Sequence, residues 1–132
     1  MVRRSLAVLG VVVLLGSTPA RAHHSFAAEF DANQPITVQG VVTQVRLENP
    51  HSWFFLDATD ANGKIEKWSF EASTPTSLIR SGVKPGFIKA GDMVTIKGYH
   101  ARDASQHVGA GRELVTADGR AFAIGPVFSP AR

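Results

Sequence analysis

Three apolar runs, separated by short turn sequences, constrain the fold of this chain more than any other feature. The second run is apolar on both faces, which is typical of a central strand. Residues 36–47 and 51–57 are separated by residues 48–50, Glu-Asn-Pro, which are typical of a turn. Residues 65–71 follow the stretch Asp-Ala-Asn-Gly at 60–63, and Asn-Gly favours a hairpin turn because glycine adopts a positive φ at little cost. The pattern predicts three successive antiparallel strands.

A glycine marks a change of phase in the first of these strands. Ile36 and Val38 share one face, whereas Val41, Val45 and Leu47 follow the opposite phase. The switch falls at residues 40–42, Gly-Val-Val. Glycine inside a strand is typical of a bulge or a sharp bend. The first strand is therefore expected to be long and bent.

A short helix is predicted after the third strand. Ser73 or Thr74 can cap it, Pro75 suits its first turn, and Gly82 ends it. Further strands are predicted at residues 93–100, 112–117 and 121–124, with a polar loop before the second of these.

This order of elements predicts an all-β fold class with a small inserted helix. Three strands, a helix and then two or three strands form the pattern of the OB-fold, a Greek-key barrel. We therefore expect an OB-fold-like barrel of five to six strands. A small β-sandwich is the alternative.

The first 22 residues have the features of an export signal. Arg3 and Arg4 precede an apolar run, Leu6–Leu15, and Ala20-Arg21-Ala22 matches a signal-peptidase site. The apolar run is shorter than the roughly 20 residues of a membrane-spanning helix. We expect cleavage after Ala22, a periplasmic location and no membrane anchor in the mature protein.

Loss of the leader changes the charge of the chain. Three of the 14 basic residues leave with it, so 11 remain against 11 acidic residues and the net charge is zero. This balance argues against a nucleic-acid partner.

The chain without its leader is long enough for one domain. We predict this domain over residues 23–125, followed by a loose tail over residues 126–132. The chain has no cysteine, so its core is expected to form without disulfide bonds.

Four stretches together resemble a family of small secreted proteins of Gram-negative bacteria whose function is unknown. They are AHHSFAAEFD, NPHSWFFLD, Trp68-Ser69-Phe70-Glu71 and KAGDMVTIKGY. The resemblance covers nearly all of the predicted mature chain. It implies export and the fold, and it implies no activity.

The paired histidines after the predicted cleavage site suggest a metal centre. His23 would become the first residue, and its free amine and imidazole could both bind one ion. Nitrogen ligands suit Cu(II), which also heads the affinity order of the divalent metals. His24 and His51 are the other candidate ligands, which makes copper the expected cofactor. The alternative is a solvated chain end that binds copper weakly.

Aromatic residues offer a second candidate site. Trp53 and Trp68 could bind a protein, a glycan or a small ligand on the face of the second and third strands, without any metal. The alternative is that they form the core, since large apolar side chains are mostly buried. His100 and His107 are expected at the surface.

The sequence favours a binding protein and not an enzyme. It has no cysteine nucleophile, no nucleophile elbow, no phosphate loop and no carboxylate pair at a useful spacing. Copper-dependent oxidation is a less favoured alternative, because nothing in the sequence indicates an open substrate surface.

Overall fold

Six β-strands and two short helices make up residues 26–125, the part of the chain that this computed structural model describes. In chain order they are α1 (Phe26–Glu29), β1 (Phe30–Arg46), β2 (Trp53–Thr59), β3 (Ile65–Glu71), α2 (Pro75–Arg80), β4 (Met93–Ala101), β5 (Val108–Thr116) and β6 (Ala121–Ala123). The predicted class, mostly β with a small helix after the third strand, is confirmed. The predicted cleavage site, His23, His24 and the tail lie outside the described residues.

Five of the strands close a ring of hydrogen bonds in the order β1-β2-β3-β5-β4-β1. All of these pairs are antiparallel except β3 with β5, which run parallel where Ser69–Glu71 meets Val108–Ala110. β6 pairs with β5 outside the ring, and α2 connects β3 to β4. The long β1 pairs with β4 along its first part and with β2 along its end, as expected of a bent strand.

The hydrophobic core lies inside the ring. Alternate residues of β2 and β3 point inward, so that Phe54 opposes Phe70 and Leu56 opposes Trp68. The other buried residues of this core are Val42, Ala58, Ala72, Leu78, Val83, Ile88, Val94, Ile96, Leu114 and Ile124. Because successive side chains of a strand point to opposite faces, the positions of the apolar residues in these strands determine which of them form the core.

The first strand begins earlier than the sequence predicts, at Phe30 instead of residue 36. The polar residues and Pro35 in this segment do not show the alternation that predicts a strand. Phe30 is paired with Ala101 of β4 and is almost fully buried. The hydrogen bonds and burial that β4 provides outweigh the weak local preference.

The fifth strand also begins early, at Val108 instead of residue 112. The glycines in this segment suggest a loop, yet they are what allows the strand to pass so close to its neighbours. A side chain at Gly109 would come within 2.7 Å of the Phe70 ring. The segment closes the ring, so close approach of the backbone is required there.

The irregularity in β1 lies directly after the predicted switch at residues 40–42. The register with β2 shifts between Val42 and Gln44. Gly40 has a different role, because a Cβ there would lie 2.7 Å from the Asp57 carbonyl oxygen. Glycine at this position permits the close crossing of β1 and β2.

The short helix α2 has the predicted cap. Thr74 is the N-cap, and its hydroxyl accepts a hydrogen bond from the Ser77 amide. Leu78 is the fully buried contact of the helix with the core. Neither helix in residues 26–125 is long and apolar enough to cross a membrane.

Candidate functional site

His51 lies in the connection between β1 and β2, directly after a cis peptide bond between Asn49 and Pro50. Its side chain is 49 % exposed, and its Nδ1 contacts the Oε1 of Glu71 at the end of β3. The pair forms because Trp53 opposes Glu71 in the register of β2 and β3, and His51 precedes Trp53 by two residues.

A histidine held in this way is suited to bind a metal ion. A carboxylate at one ring nitrogen orients the imidazole and raises the basicity of the other nitrogen. The Nε2 of His51 has no hydrogen-bond partner among the described residues. Within residues 26–125, no three His, Cys, Asp or Glu side chains converge to hold a metal ion, so this pair needs donors from elsewhere.

The first five described residues, 26–30, which we call the arm, are fixed to the end of β4. The amide of Arg102 donates to the Glu29 carbonyl at 2.9 Å, and its Nε donates to the Ala27 carbonyl at 2.5 Å. Phe26 stacks on Phe30 with ring centroids 5.5 Å apart. The arm is therefore held by both hydrogen bonds and aromatic contacts.

The loop that follows Arg102 is itself well ordered. Asp103 accepts hydrogen bonds from the amide and hydroxyl of Ser105 and from the Gln106 side chain. These bonds, with the Ser105 hydroxyl foremost, hold the pKa of the Asp103 carboxyl below its ordinary value. At neutral pH Asp103 is thus a carboxylate that stabilises the loop behind the arm.

A cavity of about 410 Å³ is lined both by the arm and by Glu71, the partner of His51. Ala28, Glu29 and Phe30 contribute to its lining from the arm, and Trp53 and Glu71 contribute from β2 and β3. The arm and the carboxylate that contacts His51 therefore border the same cavity.

Trp53 and Trp68, the two tryptophans that the sequence analysis offers as binding residues, lie in different surroundings. Trp53 is partly buried on the outer face of β2 and stacks with Phe55, with ring centroids 6.4 Å apart. The Arg46 guanidinium lies 4.8 Å from the centre of the Phe55 ring. Trp68 is only 8 % exposed and belongs to the core, so the outer aromatic surface consists of Trp53 and Phe55.

A group of polar side chains surrounds Trp68 at one end of the ring. His107 stacks on its indole at 5.0 Å, His100 meets it edge-on at 5.5 Å, and Glu66 accepts its Nε1–H at 3.2 Å. His107 is 41 % exposed, as the sequence predicts, whereas His100 is half-buried against Trp68. The sequence did contain a sign of this position, because His100 is an even number of residues from the buried Ile96 and therefore lies on the same, inward face of β4.

Fold and geometry together define a small, mostly β protein with an exposed histidine–carboxylate pair next to a fixed N-terminal arm. The chain belongs to a family of unknown function, DUF6152, whose profile matches residues 11–110. Comparisons with curated proteins and with solved structures find no match.

Proposed function

We propose that this protein is exported to the periplasm and binds Cu(II) through its mature N-terminus. The ligands are the amine and imidazole of His23 together with His24 and His51. The observation that carries this proposal is the His51–Glu71 pair, whose carboxylate borders the same cavity as the arm that follows His23 in sequence.

The length of chain between the arm and His23 supports the proposal. His23 precedes Phe26, the first residue of α1, by three residues. An extended chain covers about 3.3–3.6 Å per residue, so His23 has a reach of roughly 10 Å from the start of the arm. Cleavage after Ala22 frees the amine, which is otherwise part of a peptide bond.

The donor set favours copper over other metals. Amine and imidazole nitrogens are the ligands that Cu(II) prefers in planar arrangements, and Cu(II) heads the affinity order. The chain has no cysteine to offer a thiolate to softer ions. The proposed role is binding and not catalysis.

We also assign the ring to the OB-fold barrels. The assignment is supported by the parallel pairing of β3 with β5 and by the position of α2 between β3 and β4. In such a barrel the loop that carries His51 borders the usual binding face of strands two and three.

His51→Gln is the variant that tests the contribution of the folded domain to copper binding. We expect Cu(II) affinity, measured by competition with a chelator on protein that begins at His23, to fall at least tenfold, because one imidazole ligand and its orienting carboxylate are lost. His107→Gln is the matched control and should leave the affinity unchanged, since His107 packs on Trp68. Equal affinities for His51→Gln and the wild type would contradict the proposal.

A second candidate function is a metal-free module that binds a glycan, a protein or a small ligand. The stacked, partly buried Trp53 and Phe55 favour it, because an aromatic surface flanked by Arg46 can stack on a planar or sugar ring. A copper titration distinguishes the two functions. If the folded protein binds Cu(II) no more tightly than a peptide of the same N-terminal sequence, the metal-free module is favoured.

A further inference from the structure

A second cavity is lined by His51 itself. It has a volume of about 570 Å³, which is within the range of small-molecule sites. Its polar lining comes from the β1–β2 connection and from the region of α2: His51, Ser73, Thr74, Ser77, Arg80 and Ser81. Glu71 is not among the residues that line it.

The charge of this lining favours an anion. No carboxylate is found among the described residues that line the cavity, and Arg80 brings a permanent positive charge to it. Arg80 takes part in none of the ion pairs formed within residues 26–125. The cavity beside the arm differs sharply, since Glu29, Glu71 and Asp103 line that one.

The hydroxyl groups provide the donors that an oxyanion needs. The Thr74 hydroxyl donates to Ser77 Oγ at 3.1 Å and accepts from the Ser77 amide, so its own hydrogen-bonding capacity is used within the helix. The Ser77 hydroxyl therefore keeps its proton available for a ligand. The helix amide at Ser77 is already capped, and the site depends on side chains alone.

We propose that this cavity binds a small oxyanion, a phosphate or a carboxylate, through the Arg80 guanidinium and the Ser77 hydroxyl. The planar guanidinium offers paired N–H donors that match two oxygens of either group. His51, which also lines the cavity, is a further donor that the ligand can contact. The site is independent of copper, and the metal-free protein binds the anion.

Amide NMR spectra of the metal-free protein starting at His23, titrated with inorganic phosphate and separately with acetate, test this proposal. We expect saturable shifts confined to residues 50–52 and 73–81 with at least one of the two anions. The anion that saturates at the lower concentration identifies the phosphoryl or the carboxylate class. Shifts that grow linearly without saturation for both anions would overturn the proposal.

Substitutions distinguish binding in this cavity from a general attraction of anions to positive charges on the surface. Arg80→Gln and Ser77→Ala should each weaken the saturable binding, the first by about tenfold or more, because a charge-assisted hydrogen bond is lost. Arg120→Gln removes the same charge from the turn before β6 and should leave the binding unchanged. An equal loss in Arg120→Gln and Arg80→Gln, or no loss in Arg80→Gln, would contradict the site.

Discussion

Glu71 shows how a single residue connects the fold to the proposed metal site. It ends β3, opposes Trp53 in register and contacts the ring of His51, while its own side chain is only 14 % exposed. A carboxylate in this position fixes one imidazole nitrogen and directs the other outward. The geometry of His51 therefore depends on the pairing of two strands.

Glu71→Gln isolates this orienting role. The variant keeps the volume of the side chain but loses its charge, and we expect Cu(II) affinity to fall by about 10- to 100-fold, as is typical when a group behind a metal ligand is changed. A chelator competition assay measures the change. The control is Glu113→Gln, which removes a carboxylate paired with Lys97 and should bind copper like the wild type.

An unchanged affinity in Glu71→Gln, with copper still bound through His51, would show that the carboxylate has no part in the site. Thermal unfolding of the same variant distinguishes a local effect from loss of the fold. We expect a folded protein, because Glu71 lies at the end of its strand and its backbone pairing does not depend on the side chain.

At the scale of elements, the arm and the end of β4 act as one unit. Phe26 meets Tyr99 edge-on at 5.9 Å, Phe30 packs with Ala101 and Ala110, and Arg102 binds two carbonyl groups of the arm. These contacts form a small second core, separate from the one inside the ring. The second core holds the arm against the end of β4.

Arg102→Gln tests whether this anchoring serves the proposed metal site. The side-chain bond to the Ala27 carbonyl is lost, while the backbone bond from the Arg102 amide to Glu29 remains. We expect faster amide hydrogen exchange in residues 26–30, because a bond from a charged donor contributes about 1.5 kcal/mol to local stability. Copper affinity should fall in parallel.

Arg120→Gln is the matched control for this experiment, since Arg120 pairs with Asp118 in the turn before β6. It should alter neither the exchange of the arm nor copper binding. Faster exchange in Arg102→Gln without any loss of copper affinity would show that the arm is anchored for reasons unrelated to the metal.

At the scale of the whole molecule, local patterns predicted most of the elements. Alternation and the Asn-Gly turn placed β3 at its observed bounds, Ile65–Glu71, and the cap at Thr74 placed α2. The early starts of β1 and β5 could not be predicted locally. Both depend on pairing with strands that are distant in sequence. The parallel pairing of β3 with β5 produces no periodic pattern in the sequence from which it could have been predicted.

The candidate site was predictable only in part. His51 was evident from its position after Asn49-Pro50, but its partner was missed, although the hairpin register was enough to find it. Counting back from Thr59 opposite Ile65 pairs Trp53 with Glu71, next to His51. The cavity lined by Arg80 and Ser77 could not be found, because it joins a loop and a helix that the sequence separates.

The central claim is that the free amine of His23 is a copper ligand, and one added residue tests it most directly. Competitive Cu(II) titration compares protein that begins at His23 with the same protein carrying an extra alanine before it. We predict that the extension weakens binding by at least tenfold, because it converts the amine into a peptide nitrogen at neutral pH. Equal affinities for the two forms would contradict the claim and direct attention to the outer face of β2.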